Sequence, residues 1–193
     1  MMDRQPLMTL PNLLSGSRLV LAPVLVLLAW MGLETEFLAT AIFAFLLDAA
    51  DGPLARWLHQ VSELGPRLDT WADVAIYAVL PVCLWWLWPE LIMREKLYVG
   101  FVLTALICPG IAGLVKYRQL TSYHTWLVKF AVLTTALSIL ALILQGPALP
   151  FRVASLVCLA AGAEEVIITL VLDKPRSDVR SLFHVLRGLS RRD

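Results

Sequence analysis

The chain has 193 residues, 59% of them hydrophobic and 16% charged, with a mean hydropathy of +0.76. That balance excludes an ordinary soluble domain and makes the bilayer the solvent. A formal net charge of +1 argues against nucleic acid as a partner, and cysteines placed singly at 83, 108 and 158 point to neither a disulfide framework nor zinc.

Residues 1 to 10 read as a short interfacial lead, with Met1, Met2, Leu7, Met8 and Leu10 as its apolar positions. Pro11-Asn12 opens a first helix, which Pro23 is expected to kink. Six stretches approach the roughly 20 apolar residues that a helix needs to cross hydrocarbon. They are 13–31, 37–58, 68–88, 97–116, 126–144 and 151–172. Lipid offers no water to unpaired backbone groups, so these runs predict an all-α, polytopic six-helix bundle. Glu34 with Glu36, Gly65-Pro66, Pro89-Glu90 and Gln145-Gly146-Pro147 mark turns between them. After Asp173-Lys174-Pro175, Val179, Leu182, Phe183, Leu186 and Leu189 recur at helical spacing among charges, predicting an amphipathic surface helix over 176–190. The whole of 1–193 is read as one membrane domain. Ala39-Thr40-Ala41 has the small residues of a signal-peptide cleavage site, but a cut there would sever the second helix. The first run is therefore a span.

Charge asymmetry orients the bundle. With the N-terminus cytoplasmic, that side receives 13 of the 16 Lys and Arg residues, and the far side only Arg94, Lys96 and Arg152. Both termini are then cytoplasmic, the basic tail lies along anionic headgroups, and Trp30, Trp85, Trp86 and Trp88 fall in the outer aromatic belt.

Two aspartate pairs interrupt the apolar pattern: Asp48 and Asp51 on the second helix, Asp69 and Asp73 on the third. Carboxylates are costly beside lipid, and residues three or four apart share a helix face. A short connection makes the two helices antiparallel neighbours, so the four acids converge at the cytoplasmic end. Such an array needs positive charge between its members, and hard oxygen donors suit Mg²⁺ or Mn²⁺. Arg56 adds a fork matched to phosphate oxygens. Gly52 and Ala55 leave room above the acids, although small residues also serve close helix packing.

The string Asp48-x2-Asp51-Gly52-x2-Ala55-Arg56-x8-Gly65-x3-Asp69-x3-Asp73 resembles the signature of the CDP-alcohol phosphotransferases. The opening Thr9-x-Pro11-Asn12-x5-Arg18 resembles the first-helix pattern of bacterial members acting on CDP-diacylglycerol. The resemblance implies that Asp48, Asp51, Asp69 and Asp73 hold divalent metal, two ions of Mg²⁺ or Mn²⁺, with Asp73 also the catalytic general base. It implies that Asp48, Gly52, Ala55, Arg56 and Gly65 bind the CDP moiety. The implied reaction moves a phosphatidyl group from CDP-diacylglycerol to a small alcohol, releasing CMP at the cytoplasmic face of a bacterial inner membrane. A homodimer is implied by the resemblance alone.

Glycerol 3-phosphate is the first expectation for the acceptor, with inositol phosphate, serine or another alcohol open. A phosphorylated acceptor would find donors in Arg18, Lys116, Arg118 and Lys129, although Lys116 and Arg118 equally fit an ordinary positive-inside loop. His124 and His59 read as a structural hydrogen-bonding residue and a solvated helix end. Glu164-Glu165 reads first as a structural partner for Arg18, Lys116 or Lys129, and second as a contact for acceptor hydroxyls. A cation transporter using the acids as an ion path is the alternative of another class. Against it, the acids cluster at one end and no broken-helix repeat is visible.

Overall fold

In the computed structural model, residues 10–57, 65–118 and 125–172 are described, together with Val179, Ser181, Leu182 and Arg187. Side chains are described for all of these except 10, 11, 51–56, 66 and 67. Among the described residues every regular element is helical. In chain order they are α1 (Leu10–Trp30), α2 (Glu34–Trp57), α3 (Gly65–Leu87), α4 (Pro89–Arg94), α5 (Lys96–Tyr117), α6 (Trp126–Ile143) and α7 (Leu149–Val171).

Among the described residues five helices are long and apolar enough to cross a membrane: Asn12–Trp30, Leu68–Leu87, Lys96–Tyr117, Trp126–Ile143 and Leu149–Val171. The protein is therefore a polytopic integral membrane protein. The sixth predicted span, 37–58, falls on α2, which is not among them. Its 24 residues are ample for a crossing, but Glu34, Glu36, Asp48, Asp51 and Arg56 break its apolar run. The short α4 occupies what reads in the sequence as a simple turn at Pro89-Glu90. Helix α1 runs unbroken through Pro23, and α3 and α5 through Pro81 and Pro109.

Burial runs opposite to a soluble protein. Large apolar side chains such as Val20, Leu27 and Val115 are exposed, whereas much of the buried set is alanine. Lipid tails are as apolar as leucine, so helices gain by close backbone approach, not by hiding bulk.

The chain divides into two compact units, Met1–Pro89 and Glu90–Asp193. In the first, α1 packs against both α2 and α3. Ala22, Leu25, Ala29, Phe37, Ala41, Ala44, Ile76 and Cys83 form its core. Gly32, at φ +70, turns the chain from α1 into α2. Beside that turn, Trp30 meets Trp86 edge-on at 5.5 Å, and Trp88 Nε1 donates to Glu34 at 3.2 Å. The tryptophans of the expected aromatic belt thus gather at one end of this unit.

In the second unit α7 packs against α5 and α6. Gly162 lets α7 approach α5: a Cβ there would lie 2.7 Å from Ala105 Cα. Buried Glu95, at the head of α5, takes two hydrogen bonds from Arg152 of α7, at 2.9 and 3.1 Å. These bonds hold its carboxyl below the ordinary value of 4.5. Arg152 also stacks over Tyr98. At the other end of α7, Lys116 donates to Leu170 O at 2.7 Å, and the Tyr117 hydroxyl donates to Thr169 O and Leu172 O. These bonds satisfy carbonyls that the helix terminus leaves without intrahelical donors.

Glu164 does act as a structural partner, but for different groups from those expected. It accepts from the Thr125 hydroxyl at 3.0 Å and from the Leu182 backbone N–H at 3.0 Å. Thr125 is itself the N-cap of α6, accepting from Val128 N. Val179 and Leu182 pack on Ile168 and Leu172, so this part of the tail folds back onto α7. The rest of the predicted amphipathic helix over 176–190 lies outside the described residues, apart from Ser181 and Arg187, as do His59, His124 and most of the lead over residues 1 to 10.

Candidate metal centre

The first unit brings together acids that the sequence keeps up to 25 positions apart. Asp48 lies on α2, while Asp69 and Asp73 stand one turn apart on α3. Their side chains are 35%, 28% and 19% exposed, placing them between core and surface. One carboxylate oxygen from each lies within 4.8 Å of the others.

Arg18 of α1 stands among them, 2% exposed. Its Nη1 donates to Asp48 and, at 2.9 Å, to Asp73, and its Nη2 donates to Asp69. One guanidinium thereby ties three helices. The planar fork of arginine can serve several carboxylates at once, which an ammonium does less well. A small recess opens beside the cluster, lined by Arg18, Ala44, Phe45, Asp48, Asp73, Ile76 and Tyr77.

The donor chemistry fits a divalent cation. The cluster offers hard oxygen atoms and no thiol or imidazole. Its 4.8 Å span is close to the roughly 4.2 Å between opposite ligands of one Mg²⁺. Three carboxylates exceed the charge of one guanidinium, so the site favours further positive charge.

Asp51, Gly52, Ala55 and Arg56 lie on the last turns of α2, and their side chains are outside the description. Gly65 is the first residue of α3. Lys116, Arg118 and Lys129 belong to the second unit. Lys116 engages the end of α7, as above. Arg118 is exposed at the C-cap of α5, with φ 56, and Lys129 sits 5.8 Å from the Trp126 ring.

Two features escaped the reading of the sequence. Arg18, read from the sequence as an acceptor-binding residue, is bonded to all three aspartates, and that pairing is the part the sequence did not show. Its signal was present: a lone arginine eight residues into an apolar helix needs acids, and α1 itself carries none. Tyr77, one turn beyond Asp73, carried no signal beyond its spacing.

Fold and site together define a polytopic membrane protein with an acidic centre able to hold divalent metal. The model of the CDP-alcohol phosphatidyltransferases matches residues 8–171, and the chain belongs to that family. It is 44% identical over 80 residues to a rat protein named cardiolipin synthase (CMP-forming), a match covering 39% of this chain and 26% of that one. It is 42% identical over 69 residues to the CDP-diacylglycerol–glycerol-3-phosphate 3-phosphatidyltransferase of Aquifex aeolicus, covering 34% of this chain and 37% of that protein. Its similarity to the Pseudomonas fluorescens protein of the same name is 38% over 80 residues, covering 40% and 41%. The chain thus spans well under half the length of each of these relatives. No solved structure matches it.

Proposed function

We propose that the protein transfers a phosphatidyl group from CDP-diacylglycerol to the hydroxyl of a small polar alcohol and releases CMP. The observation that carries this reading is the convergence of Asp48, Asp69 and Asp73 on one point in a member of this family.

In this reading Asp51 joins the three acids as a ligand. Bound there, a pair of Mg²⁺ or Mn²⁺ ions supplies neutralisation of the pyrophosphate and Lewis-acid stabilisation of the departing CMP. Arg56 binds pyrophosphate oxygens, and Gly52, Ala55 and Gly65 leave the cytidine its space. Asp73 takes the proton of the acceptor hydroxyl as that oxygen attacks the phosphorus. The bilayer holds the diacylglycerol tails, so the reacting phosphate arrives already oriented. Attack is direct, since the motif contains no Ser, Cys or His nucleophile.

The arrangement in the membrane belongs to the same proposal. Helix α2 makes a sixth crossing, about 36 Å long at 1.5 Å per residue. Its charged C-terminal end and the start of α3 lie on the cytoplasmic side of a bacterial inner membrane, as do both termini. The family's homodimer is part of this reading.

Glycerol 3-phosphate is the acceptor we favour, supported by the names of the Aquifex and Pseudomonas relatives. The rat relative's name favours a second reading, in which the product is cardiolipin and the attacking hydroxyl belongs to a lipid headgroup. The test is a screen of the purified chain in vesicles with CDP-diacylglycerol, Mg²⁺ and each alcohol, reading CMP release and identifying the lipid product by mass spectrometry. CMP release with one acceptor, abolished by a chelator, is the expected result. A transporter would release no CMP with any acceptor.

A further inference from the structure

Arg18 and a divalent ion would draw on the same oxygens. The guanidinium is 2% exposed and bonds Asp48, Asp69 and Asp73, the three residues whose carboxylates gather within 4.8 Å. A lone pair directed at an N–H is withdrawn from a cation, and a resident positive charge weakens the field that attracts a second one. Removing a buried cation without replacement would leave three carboxylates facing one another across α2 and α3, a costly arrangement.

We infer that Arg18 is a built-in counter-cation that competes with divalent metal for Asp48, Asp69 and Asp73. It ties α1 to α2 and α3, and it gives up those bonds as an ion enters. Arg18 therefore sets metal affinity, and it is a positioning residue for the centre. The recess it lines with Asp48, Asp73 and Tyr77 adjoins the guanidinium on one side. The inference rests on the transferase reading only for the chemical class of the ion.

The test measures Mn²⁺ binding to the full chain in detergent, by the electron paramagnetic resonance signal of free Mn²⁺, and thermal unfolding with and without Mn²⁺. Arg18→Gln is expected to bind Mn²⁺ at least about tenfold more tightly than the wild type. Without the ion it should melt at lower temperature, and it should gain more on adding the ion. Arg18→Lys keeps the charge without the fork and should stay within about threefold of wild-type affinity. Unchanged or weaker binding by Arg18→Gln would overturn the inference, as would a lysine variant that binds as tightly as the glutamine one. Failure of Arg18→Gln to fold even when prepared in Mn²⁺ would also overturn it, because an ion able to take the arginine's place would rescue the fold. None of these readouts uses the transfer reaction. Intact Mn²⁺ binding with no CMP release from any acceptor would count against the transferase reading and leave this inference standing.

Discussion

Arg18 donates from Nη1 to Asp73 at 2.9 Å across 55 residues of sequence, joining the first helix to the third. The bond anchors the residue proposed as general base to a group that is itself almost wholly buried. It also makes the orientation of Asp73 depend on α1, a helix that contributes no acid to the centre.

Asp69→Asn and Asp73→Asn preserve side-chain volume while removing the charge that would hold metal. Each is expected to lower transfer at least about a hundredfold, with the protein still inserted in the membrane. The check is CMP release from membranes matched for protein content. Full activity in either variant would remove the role assigned to that residue.

Glu95 and Arg152 make stability depend on pH in acid. Because hydrogen bonds from Arg152 hold the Glu95 carboxyl below its ordinary value of 4.5, the ionised form is favoured in the folded state. The stabilisation is complete above 4.5 and is lost as pH falls through the lowered folded-state value. Arg152→Gln should melt at lower temperature than the wild type near neutral pH, and the two should converge in acid. A constant difference in melting temperature from pH 7 to pH 3 would contradict this account.

Glu164 holds the start of α6 and the tail at Leu182 to α7 through two 3.0 Å hydrogen bonds. Glu164→Ala removes both acceptors and is expected to cost about 1–3 kcal/mol. Backbone amide exchange should quicken at Leu182 and around Val179, with Ile168 and Leu172 following less strongly. Unaltered exchange at Leu182 would show that the apolar contacts alone hold the tail.

Gly162→Ala tests the close approach of α7 to α5. The added carbon would meet backbone atoms of Ala105 at 2.7 and 2.9 Å, and backbone can yield only if the helices separate. Destabilisation of about 1–3 kcal/mol is expected, read from thermal unfolding in detergent. Gly100, whose equivalent position is open, should tolerate the same change.

Much of this was legible from composition and spacing. Apolar runs locate crossing helices because lipid forces backbone groups to pair within each segment, and α1, α3, α5, α6 and α7 fall where those runs are. The spacing of Asp48, Asp51, Asp69 and Asp73 points to a hard-cation site because helical periodicity turns it into shared faces. The sequence marks a charged break in α2 for the same reason that α2 is not among the five strongly apolar helices: acids near a helix end lower its hydropathy whether or not it crosses.

Partners distant along the chain were not legible. A charged side chain within an apolar helix announces that it needs a counter-charge, but only packing chooses which one. Packing gave Arg18 to the aspartates of α2 and α3, Lys116 to a carbonyl of α7, and Glu164 to a hydroxyl and a tail amide. Local periodicity, set by the backbone's own hydrogen bonds, thus determines from sequence alone where the helices and their acidic faces lie. The pairing of buried charges depends on which helices adjoin and at what height, and that is decided only in three dimensions.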